Sequence, residues 1–291
     1  MNKEKTISHF GKAFYLKVLR DLEKYAKLWD LSDFKQVDYY SVNCILKCRS
    51  PKYGACILKI GNSCKETQTE YVMLHEYNGS RFCRVYEADI ANGILLIEQI
   101  IPGIQLRAEK DIEKRINIFH NAFKGLHKKP HDKSIYPTYM GWVSRITAYM
   151  RDQMEYSTLS AYMSNAEQIC CTLCEKYSGE MLLHGDLHHD NILLGSDKHY
   201  HIIDPKGVVG DCVFDIPRFI LNEFEDKIPQ AFNEKYRFIT KTLCEKLNIT
   251  EADIRKLVYV EMCMANSWNV ESSTAPNIQH VDFAKEMMNE I

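Results

Sequence analysis

The chain has 291 residues, of which 45% are hydrophobic and 26% charged, and its formal net charge is -2. This is an ordinary globular composition, long enough for a substantial core and two lobes. The chain has no apolar run of about 18 residues, which predicts no membrane span. MNKEKTISHF lacks a signal-peptide pattern, which predicts a cytoplasmic protein. The chain also has no basic run, which predicts no nucleic-acid partner.

The N-terminal part of the chain alternates between helix and strand patterns. Residues 12–28 carry apolar side chains at helical spacing, which predicts an amphipathic helix. Residues 37–60 contain two β-rich runs around SPKYG and predict a hairpin. Residues 64–77 return to a helical pattern, and CRVYEADI and GILLIEQI then predict two strands joined by the turn Ala91-Asn92-Gly93.

The pattern changes after Ile101-Pro102-Gly103, where we place the boundary between the two lobes. An apolar stripe at helical intervals follows and predicts a core-facing helix; it consists of Ile112, Ile116, Phe119, Phe123 and Leu126. Helical patterns then continue to the C-terminus, interrupted once by the predicted hairpin NILLG–SDKH–YHIID. The predicted fold class is α+β, with a small β-rich N-terminal lobe (residues 1–102) and a larger helical C-terminal lobe (residues 103–291).

Eleven cysteines are scattered through the chain, often within apolar runs. A disulfide framework is typical of short secreted chains, so free, mostly buried thiols are the better interpretation. Cys171 and Cys174 form a CxxC motif, but no second pair lies at zinc spacing.

The stretch HGDLHHDN at 184–191 places titratable groups between two apolar segments. A zinc site is one interpretation, but no Glu stands between the histidines as a zinc-protease helix requires. A phosphoryl-transfer loop fits better, because protein kinases use an Asp as catalytic base and an Asn five residues later as a Mg²⁺ ligand. Asp186 and Asn191 have that spacing, and Asp204, at the end of the following hairpin, supplies a second oxygen ligand for the metal. A polar turn is the remaining alternative.

A kinase also needs a cation on the nucleotide phosphates, carried by a strand and paired with a carboxylate from a helix. ACILKI supplies Lys59, and a buried lysine requires a partner. Glu70, in the next predicted helix, is the expected partner, with Glu66 as the alternative. A lysine reaching solvent from a strand edge is the other interpretation.

The expected Gly-rich loop over the phosphates is absent, and the corresponding stretch is DYYSVNCIL. Ser41 and Asn43 could bond phosphate through their side chains or backbone N–H groups. The segment Glu98-Gln99-Ile100 leads out of a strand at the predicted lobe boundary, and we expect adenine to meet backbone groups there, at Glu98 and Ile100.

With these motifs in place, the chain resembles the aminoglycoside phosphotransferase family, small-molecule kinases with a protein-kinase-like fold, and within it the streptomycin 6-phosphotransferase and hydroxyurea phosphotransferase branch. The resemblance is carried by HGDLHHDNILL at 184–194 and IDPKGVVGDCVFDIPRF at 203–219, and by LWDL at 28–31, ILKI at 57–60 and LLIEQIIPGIQL at 95–106.

The resemblance implies a role for each of the site residues. Asp186 is the implied catalytic base, Asn191 and Asp204 bind Mg²⁺, and Lys59, supported by Glu70, holds the ATP phosphates. Lys206 either adds positive charge near the phosphates or pairs with a neighbouring acid. Asp211 and Asp215 match two later aspartates of the family and are expected to be structural, with Asp215 as an N-cap before Ile216-Pro217.

The predicted function is that of an ATP- and Mg²⁺-dependent kinase acting on a hydroxyl of a small molecule, an aminoglycoside such as streptomycin. Acidic residues are candidates for binding a cationic acceptor (Glu223, Glu225, Asp226, Glu261 and Glu271), and Trp142 and Trp268 are candidates for stacking on it, although a solvated face and core packing are the commoner roles of such residues. The alternatives are a metabolic kinase for choline, a sugar or a similar alcohol, an inactive nucleotide-binding pseudokinase, and a zinc hydrolase.

Overall fold

A computed structural model describes residues 3–37, 43–224 and 232–290 of the chain. The helices are α1 (Lys3–Phe10), α2 (Lys12–Leu28), α3 (Lys65–Tyr77), α4 (Ile112–Phe123), α5 (Tyr139–Arg151), α6 (Ser157–Lys176), α7 (Ile216–Asn222), α8 (Phe232–Leu247), α9 (Glu251–Glu271) and α10 (Ile278–Asn289). The strands are β1 (Ser32–Gln36), β2 (Cys44–Ser50), β3 (Gly54–Ile60), β4 (Val85–Asp89), β5 (Ile94–Glu98), β6 (Pro102–Gln105), β7 (Met181–Leu183), β8 (Ile192–Gly195), β9 (Tyr200–Ile202) and β10 (Val208–Gly210).

The chain divides into two compact units. The first contains the residues up to Ile104 together with Leu193–Ile203, and the second contains Gln105–Ile192 and the residues from Asp204 onward. The β8–β9 hairpin therefore belongs to the first unit, where the Cys83 N–H donates to the Ile202 carbonyl over 3.0 Å.

The first unit is built on a five-stranded sheet with the order β1-β2-β3-β5-β4. The predicted hairpin is present as β2 and β3, which pair antiparallel from Cys44 opposite Ile60 to Ser50 opposite Gly54. Alternate side chains of β2 are buried, as expected for a strand with one face on a core. Strand β1 was not predicted, because its sequence SDFKQ has no alternation of apolar residues and is largely exposed.

Helix α2 covers the buried face of this sheet, as its apolar stripe predicts. Phe14, Val18 and Tyr25 join the core formed by the strands, whereas Leu28, which we also expected on the stripe, is 63% exposed. Three of the eleven cysteines are core members here (Cys44, Cys48 and Cys56), and all eleven thiols are free. These cysteines act as small apolar side chains.

The second unit is mainly helical, with α5, α6 and α9 packed on one another and α10 packed on α9. The two short strands β7 and β10 pair antiparallel in this unit, so the C-terminal part is interrupted by more strand than the single predicted hairpin. None of the helices in the described ranges is both long and apolar enough to cross a membrane.

Candidate active site

The stretch 184–191 lies in the second unit and follows directly on β7. Gly185 has φ +78°, and a Cβ there would stand 2.8 Å from Cη2 of Trp142. A side chain is therefore disfavoured both by the backbone conformation and by the neighbouring ring. The Asp186 N–H donates to Nδ1 of the buried His184 over 3.0 Å, so the histidine orients the backbone of the loop.

The carboxylate of Asp215 holds the start of this loop in place. Its Oδ2 accepts the His184 N–H over 2.8 Å, and its Oδ1 accepts the Gly185 N–H over 2.7 Å. His127 Nε2 lies 2.8 Å from the same Oδ2. Burial alone would raise the pKa of Asp215, but the hydrogen bond and charge of His127 outweigh burial and lower it.

Asp215 stands at the N-cap position of α7 with a proline in the first turn, as predicted, but its side chain makes no capping hydrogen bond. The carboxylate makes no capping bond to α7 because both of its oxygens are used by the loop. Asp211 has the expected structural role, since it accepts the N–H groups of Val213 and Gly179.

Asp186 is held by a cation that no local sequence motif predicts. Arg218, on α7, brings Nε to 2.8 Å and Nη2 to 2.7 Å from Oδ1 of Asp186, while His188 Nε2 lies 3.7 Å from Oδ2. Burial alone would raise the pKa of Asp186, but the charge of Arg218, followed by the influence of His188, holds it well below its usual range. The carboxylate is thus ionised and fixed in orientation.

Asn191 and the segment that begins at Asp204 are both hydrogen-bonded to backbone carbonyls of the loop. The Asn191 amide nitrogen donates to the Asp186 carbonyl over 3.0 Å, which turns the amide oxygen, the end that a hard cation binds, the other way. The Lys206 N–H donates to the His184 carbonyl over 2.7 Å, so the segment that begins at Asp204 runs beside the start of the loop.

Asp204 has a positive φ of 57°, a conformation that costs free energy for a non-glycine residue and is concentrated at functional sites. Its Oδ2 lies 3.7 Å from Nζ of Lys206, and both side chains are about a third exposed. Lys206 therefore pairs with a neighbouring acid, which is one of the two roles that we expected for it; the other was to add positive charge near the phosphates. An amide oxygen and a carboxylate are a donor set that suits Mg²⁺.

The first unit contains the predicted pair of Lys59 and Glu70. Lys59 Nζ, from β3, lies 2.6 Å from Glu70 Oε1, from α3, and the two side chains are 6% and 8% exposed. The alternative partner Glu66 is exposed one turn earlier on the same helix. Lys59 is therefore a buried cation with a carboxylate partner and not a lysine reaching solvent from a strand edge.

The other residues predicted to contact the nucleotide are placed less directly. Ser41 lies outside the described residues. The side chain of Asn43 lies against Gly61, because a Cβ on Gly61 would stand 2.0 Å from Oδ1 of Asn43. In the segment predicted to meet adenine, the Glu98 N–H donates to Arg84 O, and buried Ile100 follows at the end of the segment.

Most of the acids proposed to bind a cationic acceptor have partners within the protein. Glu223 is 9% exposed and is held by Arg115, by His189 Nε2 at 2.7 Å and by Lys235. Burial would raise the pKa of Glu223, but the hydrogen bonds from His189 and Arg115 lower it strongly. The suggested acceptor role of Glu223 was wrong because its carboxylate anchors the loop histidine.

Glu261 and Glu271 are also paired, whereas Glu225 and Asp226 lie outside the described residues. Glu261 is 2% exposed and accepts the Tyr139 hydroxyl over 2.8 Å, and Glu271 pairs with Arg145. The Glu261 carboxylate is buried, whereas Glu271 is exposed and already paired with Arg145.

Trp142 and Trp268 form an edge-to-face pair with ring centroids 6.0 Å apart. Both rings are half-buried, and Trp142 contacts the loop at Gly185. Trp142 therefore lies beside the loop at the residue before Asp186, and Trp268 packs against Trp142.

Arginines brace the loop and were missed in the sequence. Arg107 binds both oxygens of Asp190, with Nε at 2.7 Å and Nη2 at 2.8 Å. Arg107 and Asp190 are 83 positions apart in the sequence, and Arg218 and Asp186 are 32 apart. No local sequence motif therefore predicts these ion pairs.

The histidines of the loop are engaged in these contacts. Within residues 3–37, 43–224 and 232–290, no three His, Cys, Asp or Glu side chains converge as a metal-binding group. The zinc interpretation has no donor set in this part of the chain.

The chain is similar in sequence to known antibiotic resistance kinases. A family model described as "Aminoglycoside/hydroxyurea antibiotic resistance kinase" matches residues 29–273. A streptomycin 6-kinase of Streptomyces glaucescens is 21% identical over 228 residues, which are 75% of this chain and 72% of that protein.

Solved structures share the fold at low identity. The choline kinase LicA from Streptococcus pneumoniae has a TM-score of 0.66 at 14% identity, covering 93% of this chain and 98% of that one. A thermostable mutant of the aminoglycoside phosphotransferase APH(4)-Ia, in a ternary complex with ADP and hygromycin B, has a TM-score of 0.61 at 12% identity, covering 92% and 96%. The predicted α+β, protein-kinase-like fold is confirmed.

Proposed function

Because this chain belongs to the aminoglycoside/hydroxyurea antibiotic resistance kinase family, and is therefore a phosphotransferase with an alcohol group as acceptor, we propose that it transfers the γ-phosphate of ATP to a hydroxyl of an aminoglycoside such as streptomycin. The family resemblance predicted from the motifs is confirmed by the match over residues 29–273. The aminoglycoside acceptor is favoured by the relative that is a streptomycin 6-kinase.

The observation that carries the proposal is the fixed, ionised carboxylate of Asp186 beside the segment of Asp204. Asp186 accepts the hydrogen bond of the acceptor hydroxyl, aligns its oxygen on the γ-phosphate and receives its proton. Since Arg218 keeps this carboxylate a weak base, its main contribution is positioning, which suits a transfer with a loose transition state.

Asn191 and Asp204 are the residues that would hold Mg²⁺, through the amide oxygen and the carboxylate. When bound, the ion neutralises charge on the phosphate oxygens. Lys206 adds a positive charge 3.7 Å from the Asp204 carboxylate.

Lys59 binds the α- and β-phosphates, and Glu70 keeps its ammonium group in place at 2.6 Å. Ser41 and Asn43 contribute polar groups to the phosphates, and the backbone of Glu98 to Ile100 meets adenine. Nucleotide use is supported by the ADP bound in the APH(4)-Ia complex.

A metabolic alcohol such as choline is the second candidate acceptor, because a choline kinase shares the fold over 93% of this chain. An inactive pseudokinase is disfavoured by the family membership and by the filled positions Lys59, Asp186, Asn191 and Asp204.

The test is ADP release from Mg-ATP by the purified protein with a panel of streptomycin, other aminoglycosides, hydroxyurea and choline. Stimulation by an aminoglycoside in the wild type, but not in Asp186→Asn, is the expected result. Asp197→Asn, a substitution at a half-exposed site, is the matched control and should retain full activity. Stimulation by choline alone would overturn the aminoglycoside assignment, and failure of every acceptor with intact ATP binding would favour the pseudokinase.

The metal assignment has its own readout. Asp204→Asn removes one negative ligand, so its transfer rate should need a higher Mg²⁺ concentration to reach its maximum than the wild-type rate does. An unchanged Mg²⁺ dependence would contradict the role of Asp204.

A further inference from the structure

Arg218 lies between two carboxylates of the second unit. On one side its Nε and Nη2 both contact Oδ1 of Asp186, at 2.8 and 2.7 Å. On the other side its Nε lies 3.7 Å from Oε1 of Glu261, on α9. An arginine with 24% of its side chain exposed is thus shared between the proposed base and a buried acid.

Glu261 is the less expected member of this group. Its side chain is 3% exposed, its Oε2 accepts the Tyr139 hydroxyl, and its Oε1 is buried with no hydrogen-bond partner among the described residues. Burial raises the pKa of Glu261 to about 7, with Arg218 and Tyr139 opposing the rise and Asp186 and Asp215 adding to it. A buried carboxylate oxygen without a hydrogen bond is destabilising, so the fold alone gives no reason for a glutamate here.

The contacts of Arg218 leave the two oxygens of Asp186 in different states. Two donors converge on Oδ1, which fixes the rotation of the carboxylate about its Cβ–Cγ bond. Oδ2 lies 3.7 Å from His188 Nε2, which is beyond hydrogen-bond distance. Oδ2 is therefore the oxygen that can accept the acceptor hydroxyl.

We propose that Arg218, anchored from behind by Glu261, is a positioning residue for phosphoryl transfer that holds Oδ1 of Asp186 and so presents Oδ2 to the acceptor hydroxyl. The inference rests on the proposed function, since it gives Asp186 its partner in the reaction. Glu261 limits the movement of the guanidinium group, because an arginine bound only to Asp186 would move together with it.

The test compares Arg218→Gln and Arg218→Lys with the wild type in steady-state kinetics with Mg-ATP. The acceptor is the compound of the panel above that gives the highest wild-type turnover, or water if none stimulates ADP release. We expect kcat of Arg218→Gln to fall by roughly 10²-fold, the size expected when a reacting group is misplaced by about 1 Å, with KM for Mg-ATP within about twofold of wild type. Arg218→Lys keeps the charge but not the paired donors, so it should recover only part of the loss.

Arg237→Gln is the matched control, since it removes an arginine that contacts both oxygens of Glu290 on an exposed part of the same unit. Its kcat should equal that of the wild type. A loss of kcat in Arg218→Gln accompanied by a similar rise in KM for Mg-ATP would indicate a general structural role and would overturn the proposal.

The contribution of Glu261 is measured by a double-mutant cycle. If Glu261 acts through Arg218, Glu261→Gln lowers kcat in the wild-type background but changes it by less than about twofold in Arg218→Gln. Independent, multiplying effects would refute the anchoring role of Glu261. Unchanged kcat in Arg218→Gln overturns the inference alone, whereas no ADP release from wild-type protein overturns the proposed function and this inference with it.

Discussion

Replacing Lys59 by Met removes the cation from a pair whose two side chains are only 6% and 8% exposed. Glu70 would remain as a buried carboxylate that has lost the ammonium group 2.6 Å away. Breaking a buried ion pair in this way destabilises a protein by about 3–5 kcal/mol, because the desolvation penalty of the remaining charge is no longer offset. We therefore expect Lys59→Met to lower the free energy of unfolding of the first unit by about this amount.

The companion variants separate this effect from a simple change of side chain. The double substitution Lys59→Met with Glu70→Met removes both charges and should recover most of the lost stability, since apolar residues replace a buried pair at little net cost. Lys27→Met removes one partner of an ion pair whose side chains are 77% and 72% exposed, and it should leave the unfolding midpoint unchanged.

The assay is equilibrium unfolding in urea, because guanidinium would screen the charges under test. Trp29 is the tryptophan of the first unit, so its fluorescence in a background with Trp142 and Trp268 replaced by Phe reports that unit. If Lys59→Met were as stable as Lys27→Met, or if the double variant were no more stable than Lys59→Met, the reasoning from burial would be refuted.

Three further predictions concern the second unit. Asp215→Asn puts an amide NH₂ where a carboxylate oxygen accepts a loop N–H, so it should lower the free energy of unfolding, measured in urea, by about 3 kcal/mol and reduce ADP release. The pKa of Asp215 is lowered from 3.8, so the stability that its carboxylate contributes is lost as the pH falls through that lowered value. Wild-type stability should therefore approach that of the variant only in acid. Gly185→Ala meets both φ +78° and the Trp142 ring at 2.8 Å, so it should destabilise the unit by about 1–3 kcal/mol, and a neutral result would contradict the close approach. The pKa of Glu261 is raised from 4.5 to about 7, so between these pH values ionisation of Glu261 favours the unfolded chain. The free energy of unfolding of Glu261→Gln, relative to that of the wild type, should therefore rise by about 3 kcal/mol from pH 4.5 to pH 8. A difference that does not change with pH would show that Glu261 is not desolvated.

The parts of the site that the sequence made predictable are those with a local pattern. Asp186 and Asn191 were predictable as site residues from their spacing, and Lys59 from its place inside the apolar run ACILKI. In each case the residues that make up the pattern are close together in the sequence. The Lys59–Glu70 contact was predictable because a buried ammonium group requires a carboxylate and few acids were within reach of that strand.

The contacts that hold the loop could not be predicted in the same way. Arg115 and Glu223 are 108 positions apart, so the sequence pattern around Glu223 is typical of a solvated or substrate-binding group, and only the fold shows that Glu223 is buried. Asp215 was correctly expected to be structural, but a helix-capping motif and a loop anchor look identical in the sequence DIP. The difference is decided by the N–H groups of His184 and Gly185, which only the fold brings to it.

The most direct test of the central claim follows the phosphoryl group itself. The protein is incubated with ATP labelled in the γ-phosphate, Mg²⁺ and streptomycin, and the streptomycin is analysed by mass spectrometry and for label. Wild-type protein should form a labelled product heavier by one phosphoryl group, and folded Asp186→Asn should form none. Labelled phosphoryl-streptomycin formed equally by the Asp186→Asn variant, or label released only as inorganic phosphate by the wild type, would contradict the central claim.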